Sequence, residues 1–114
     1  MKDCIFCKIV NGEIPSNKVY EDEKVLAFRD LNPQMPVHVL IIPKTHYAHI
    51  GDEIPDKEMG YLLNTVKKIA QLEGIETSGY RVITNVGDDA QQTVHHVHLH
   101  VLGGAPMTFG PFLA

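Results

Sequence analysis

Between residues 95 and 102 the chain reads His95-His96-Val97-His98-Leu99-His100-Val101-Leu102, so three of its seven histidines fall at two-residue spacing between aliphatic neighbours. Successive side chains of an extended strand point to opposite faces, which predicts His96, His98 and His100 on one face and Val97, Leu99 and Val101 on the other. A chain with this run must bury the aliphatic face against a core and leave a row of imidazoles available. One metal ion cannot serve all three. At about 3.3 Å of rise per residue the outer pair starts about 13 Å apart, whereas zinc takes nitrogens at about 2.1 Å. Neighbouring histidines could still share an ion, and the interleaved β-branched residues argue against an affinity tract.

Length and charge narrow the classes. A chain of 114 residues suffices for one core and is short for two, so residues 1–114 are read as one domain. With a net charge of -4 and a pI near 5.9 it offers no basic stripe for a nucleic acid polymer. Small anions stay within reach, because a local site can be positive on an acidic protein. No apolar leader or membrane-length run is visible, and a cytoplasmic protein without a membrane partner is expected. In that compartment the Cys4-x-x-Cys7 pair, the only cysteines, points to metal or redox chemistry before a structural disulfide. A thioredoxin-like site needs such a pair after a strand and at a helix start, whereas here it opens the chain. C-x-x-C is half of a zinc site, and the missing ligands would come from elsewhere.

Periodicity orders the elements. Cys4 to Val10 reads as a short helix with Ile5, Phe6 and Ile9 on one side, ended by Asn11-Gly12 and Pro15. Lys18 to Tyr20 and Val25 to Arg29 form a hairpin around a charged turn. After a loop holding Pro33 and Pro36, Val37 to Ile42 is nearly all apolar, as a central strand covered on both faces would be. His38 inside it is either a neutral imidazole satisfied by backbone partners or a member of a site. Met59, Leu62, Leu63, Val66, Ile69 and Ala70 mark one long helix from Asp56 to Glu73, with Asp56 a candidate cap and Gly74 a stop. Gly79 to Val86 makes a fourth strand and the histidine run a fifth. The expected class is α+β, a mainly antiparallel five-stranded sheet with the long helix on one face.

Imidazoles beside a polar loop suit an anionic phosphorus centre, since they attack when neutral and donate when protonated, all near neutral pH. His98, the central one, is the natural nucleophile, because an imidazole can form a covalent phosphoryl or nucleotidyl intermediate. His38, across the sheet, could relay charge. Asn85, Gln91, Gln92 and Thr93 supply amide and hydroxyl donors for phosphate oxygens. No Walker loop, H-E-x-x-H or carboxylate cluster is present, so neither a catalytic metal nor an organic cofactor is expected.

His96-Val97-His98-Leu99-His100-Val101-Leu102 resembles the H-φ-H-φ-H-φ-φ signature of the histidine triad (HIT) superfamily, and most of the chain looks like its Hint branch of nucleoside phosphoramidases. Cys4 to Ile9, Glu13-Ile14-Pro15, Ala27 to Asp30, His38 to Pro43 and Leu102-Gly103-Gly104 recur there in the same order. The resemblance implies a HIT-like fold whose sheet continues across a homodimer. It implies that His98 attacks the phosphorus of a purine nucleoside 5′-phosphoramidate and carries the nucleoside monophosphate until water releases it. His100 would hold the nonbridging oxygens, His38 would support His98, and Thr93 would sit near the leaving amine. Asp30 would accept from the ribose hydroxyls, and Ile5, Phe6, Ile9, Phe28 and Leu31 would form an apolar slot for the base, although by themselves those five read as core. The resemblance also implies structural Zn²⁺ on Cys4, Cys7, His46 and His96, the last being at once the first triad histidine and a ligand.

Some positions depart from that pattern. Ala90-Gln91 stands where the branch has a glycine pair in the phosphate loop, His95 replaces an aromatic residue, and the 105–114 tail lacks a tryptophan that helps set leaving-group preference. Two other functions remain open at this stage: a dinucleoside polyphosphate hydrolase of the Fhit kind, and a non-catalytic nucleotide- or partner-binding module.

Overall fold

The computed structural model describes residues 3–108, and the last six residues of the tail lie outside them. The chain runs α1 (Ile5–Val10), β1 (Lys18–Glu21), β2 (Val25–Arg29), β3 (Val37–Pro43), α2 (Asp56–Leu72), β4 (Tyr80–Ile83) and β5 (Leu99–Gly103). The five strands form one sheet in the order β1-β2-β3-β5-β4, with every neighbouring pair antiparallel. The predicted class is the one observed.

Each face of the sheet has its own apolar layer. Val25, Ala27, Val39, Ile41, Leu99 and Val101 point towards α2 and pack on Leu62, Val66, Ile69 and Ala70. The alternate residues Leu26, Phe28, Leu40 and Ile42 meet Phe6 and Ile9 of α1 on the other side. This explains the unbroken apolar run of β3, whose two faces are both covered. The long helix ends as its sequence predicts. Gly74 takes a φ of +70°, the Ile75 amide donates to Ala70 at 3.0 Å and the Gly74 amide to Gln71 at 3.2 Å, closing the last carbonyls in a Schellman motif. Ile75 then folds over Gly103, where an added Cβ would meet its Cδ1 at 2.9 Å.

Three boundaries differ from the sequence expectation. Pro55, not Asp56, caps α2, and no side chain bonds its first amides. Asp56 lies in the first turn, where its charge favours the helix dipole. The fourth strand is confined to Tyr80–Ile83. The fifth begins only at Leu99, so His96 and His98 precede it. The Val97 amide donates to the Tyr47 carbonyl at 2.6 Å, which draws the histidine segment off the sheet ladder and onto the loop after β3. The division of faces nevertheless holds: Leu99 and Val101 enter the α2 layer, and His98 and His100 meet edge to face, with centroids 5.0 Å apart, on the other side.

Candidate functional site

The start of α1 and the histidine segment meet at a four-residue corner. Cys4 is the N-cap of α1, its sulfur accepting the Cys7 amide. Cys4 Sγ lies 3.3 Å from His96 Nδ1, Cys7 Sγ 3.3 Å from His46 Nδ1, and the two Nδ1 atoms 3.2 Å apart. Ligands about 2.1 to 2.3 Å from a tetrahedral zinc would stand about 3.3 to 3.8 Å from one another, so this donor set fits a divalent cation. Protonation agrees. The buried His96 Nε2–H donates to the Pro43 carbonyl at 2.8 Å, and this leaves the Nδ1 lone pair facing the corner, an arrangement typical of metal-binding imidazoles. Burial pushes His96 down to about 4 and lowers His46 as well, so both rings are neutral. Burial first, and then the Cys4 thiol, hold Cys7 up at about 11, the reverse of a reactive redox thiol.

Beside this corner opens a cavity of about 370 Å³, the size of a small-molecule site. His98 and His100 form part of its wall, together with Phe6, Phe28, Asp30, Asn85 and Thr93. His98 Nδ1–H donates to the carbonyl of His96 at 2.7 Å. A carbonyl only accepts, so the proton sits on Nδ1 and Nε2 keeps its lone pair. Among the described residues no side chain or backbone group bonds Nε2. Burial lowers His98 and holds His100 at about 4. Across the sheet His38 Nε2 lies 2.9 Å from His100 Nδ1 and 3.4 Å from Asp30 Oδ2. His38 is buried, and burial lowers it too. It is thus both things the sequence allowed, a neutral imidazole satisfied partly by backbone and a neighbour of the histidine run.

The structure gathers all the expected nucleotide residues, Ile5, Phe6, Ile9, Phe28, Asp30, Leu31, Asn85, Gln91, Gln92, Thr93, His98 and His100, around this cavity. They differ in depth. Phe6, Ile9 and Phe28 belong to the buried layer, whereas Ile5 is 46% and Leu31 98% exposed, so Leu31 is a rim residue and not the floor of a slot. Gln92 is buried and acts on the loop itself: its Oε1 accepts the Gly87 amide and its Nε2 donates to Ala48 and Val94. Gln91 takes a φ of +59°, the one positive value at a non-glycine among the described residues. The loop adopts a glycine conformation without a glycine. His95 is exposed and borders a second hollow, with Asp3, Cys4 and His46. The sequence assigned no site role to the Ile14–Asn17 segment, which closes one wall; the one signal there was the Glu13-Ile14-Pro15 run that helps carry the resemblance.

The HIT domain family model matches residues 11–107. The chain belongs to the HIT family. A 14 kDa zinc-binding protein of Zea mays is 51% identical over 94% of this chain and 86% of its own length. A purine nucleoside phosphoramidase of Escherichia coli is 44% identical over 99% of this chain and 95% of its own. Among solved structures, a HIT family hydrolase from Legionella pneumophila superimposes with a TM-score of 0.90 at 49% identity, covering 96% of this chain and 99% of that one. The HIT resemblance seen in the sequence is therefore correct, with hydrolase relatives of the Hint kind. No helix among the described residues is long and apolar enough to cross a membrane.

Proposed function

We propose that this HIT protein hydrolyses the P–N bond of purine nucleoside 5′-phosphoramidates. The observation that carries the reading is the anchored His98 ring, whose Nδ1–H rests on the His96 carbonyl at 2.7 Å while Nε2 is left for the cavity. In the proposed reaction the Nε2 lone pair bonds to phosphorus as the bond to the leaving nitrogen breaks. That nitrogen takes one proton from solvent water, relayed by the Thr93 hydroxyl beside it, and departs as the amine. The Nδ1–H bond strengthens as the ring becomes cationic. Water then attacks phosphorus, the bond to His98 breaks, and the nucleoside monophosphate leaves. His100 contacts the nonbridging oxygens and Asp30 the ribose hydroxyls, while Phe6, Ile9 and Phe28 back the base. The Escherichia coli phosphoramidase supports this choice of substrate.

Zn²⁺ is proposed on Cys4, Cys7, His46 and His96, in keeping with the Zea mays relative. Its four protein ligands leave no position for water, so it would supply a cross-link and no chemistry. A homodimer is proposed across β4, whose one sheet partner among the described residues is β5 and which exposes Tyr80 and Val82. Light scattering that returned the mass of a single chain at micromolar concentration would contradict it.

The test compares adenosine 5′-phosphoramidate with diadenosine tetraphosphate and repeats both with His98→Ala. The phosphoramidate should turn over far faster, and His98→Ala should lower kcat by about 10⁴-fold or more while nucleotide affinity changes only a few-fold. Preference for the tetraphosphate would move the reading to the Fhit kind, and retained turnover would remove His98 as nucleophile.

A further inference from the structure

The loop between β2 and β3 carries an amide whose position bears on the whole histidine set. Asp30 Oδ1 accepts the Asn32 amide at 2.8 Å, the Gln34 side chain donates to the Asn32 carbonyl at 3.0 Å, and Pro33 and Pro36 stiffen either side. The turn so held points the Gln34 backbone N–H at His38 Nδ1, 3.0 Å away. A backbone N–H can only donate, so Nδ1 must be the bare nitrogen of the neutral ring. On the other side of the ring, Nε2 faces Asp30 Oδ2 at 3.4 Å and His100 Nδ1 at 2.9 Å. An ionised carboxylate can only accept, so two independent neighbours assign the ring proton to Nε2.

We propose that Gln34 is a positioning residue: its backbone N–H fixes His38 as the Nε2–H tautomer, which forces His100 to present its own Nε2–H to the cavity. The chain of reasoning is one of donors and acceptors. His38 Nε2–H donates to His100 Nδ1, so the neutral His100 ring carries its proton on Nε2 and serves as a hydrogen-bond donor without being charged. This deepens the proposed reaction and rests on it for the role of His100: an anionic phosphoryl oxygen meets a fixed neutral donor. Burial, followed by the neighbouring His98 and His38, holds His100 at about 4 and keeps that donor neutral at pH 7. The same proton settles a second matter. Asp30, His38 and His100 offer ligand atoms within 4.8 Å of one another, but a cation there would need a lone pair at His38 Nε2 and a proton at Nδ1, against the Gln34 N–H. The grouping is a fixed chain of hydrogen-bond donors and acceptors and not a metal site.

The experiment reads ring-nitrogen chemical shifts and two-bond couplings of ¹⁵N-histidine-labelled protein at pH 7, with kinetics on Gln34→Pro and Gln34→Ala. In the unaltered chain His38 and His100 should both be Nε2–H tautomers; an Nδ1–H signal for either overturns the proposal whatever the activity proves to be. Gln34→Pro, which deletes the N–H, should give mixed tautomers at both rings and lower kcat about ten- to a hundredfold with KM within about threefold. Gln34→Ala keeps the N–H and loses only the turn-bracing side chain, so its tautomers should match the unaltered chain. A folded Gln34→Pro protein with unmixed tautomers overturns the assignment to Gln34, and should that variant not fold, the tautomers of the unaltered chain decide. If the tautomers are as stated but no phosphoramidate is cleaved, the positioning stands and the reading of the reaction fails.

Discussion

The corner around Cys4 and the cavity around His98 are built from histidines two residues apart, and they use the imidazole in opposite senses. In the corner His96 puts Nε2–H on the Pro43 carbonyl and turns Nδ1 to the thiols. In the cavity His98 puts Nδ1–H on the His96 carbonyl and leaves Nε2 for the pocket. The Phe6 ring stands between, with centroids 6.0 Å from His96 and 5.2 Å from His98. Residue type is identical in the two places, and so is the neutral state. What differs is which ring nitrogen a backbone carbonyl has claimed, because the carbonyl dictates where the proton sits and hence which nitrogen can bind or attack. His96 belongs to both regions, its side chain to one and its carbonyl to the other, so the corner holds in place the ring proposed as nucleophile.

The largest way to break this pairing is to open the corner. Cys7→Ala, or prolonged chelation of the unaltered protein, should destabilise the fold by about 3 kcal/mol or more, because a ligand set that exists only in the folded state contributes its binding energy to folding. On a chain of this size that is a fall in Tm on the order of 15 °C. Metal analysis should find about one zinc per unaltered chain, and less than half an equivalent in protein purified without chelator would remove zinc from the account. At temperatures where Cys7→Ala is still folded, kcat should fall more than nucleotide affinity, since the walls formed by Phe28 of β2 and by Asp30, which follows β2, lie outside the corner. A variant that kept its Tm within about 2 °C would show that the two regions are independent.

Acid acts on both regions, by a smaller amount, because burial lowers the corner's His96 and His46 as it lowers the cavity's histidines. Burial, His98 and His38 lower His100 to about 4 against the opposing charge of Asp30, and burial lowers His38 in the same sense. An unfolded histidine titrates near 6.5, so between about 6.5 and 4 the unfolded chain binds more protons than the folded one. Stability therefore rises with pH across that window: the contribution is complete above about 6.5 and is lost as pH falls through about 4. Thermal melts over this range should show a falling Tm on acidification, and His100→Asn should flatten the slope. An unchanged slope in His100→Asn would mean that the acid sensitivity arises outside the cavity.

Much of this was legible before any coordinates. The strand-like run Val25 to Arg29, the apolar Val37 to Ile42 and the i, i+3, i+4 spacing from Met59 to Ala70 each carry one signal, and an element formed at each. The histidine run obeyed period two as well, yet its first half is not strand, because ladder pairing is decided by a partner backbone and Val97 bonds Tyr47 instead. Cys4-x-x-Cys7, His38, His98 and the polar residues Asn85, Gln91, Gln92 and Thr93 were read from residue chemistry, whereas His46 and His96 as ligands, Asp30 and the apolar slot were reached through resemblance, and their chemistry is consistent with the distances found. The Gln34 amide and the Pro43 and His96 carbonyls could not be read, because a backbone group has no residue signature. The exposure of Leu31 could not be read for a related reason: apolarity alone does not distinguish a floor from a rim.

Gln91 sharpens the contrast by the smallest effect. A side chain in the left-handed region costs about 1 to 2 kcal/mol, and Gln91 sits there with its amide donating to Asp88 at 2.9 Å. No residue of the corner has a positive φ, so the strain lies on the cavity side alone. Gln91→Gly removes the strain but adds about 0.4 to 1 kcal/mol of unfolded-chain entropy, leaving a net gain of up to about 1.6 kcal/mol. Denaturant titration should show that gain with an unchanged m-value. Strain is retained at a position when the side chain or its backbone contributes to function, and Gln91 lines the cavity, so the more stable variant should also show an altered KM for the phosphoramidate. A variant that gained stability with kcat and KM untouched would make Gln91 a tolerated residue in a glycine's place; one that lost stability would show that its side chain holds the loop.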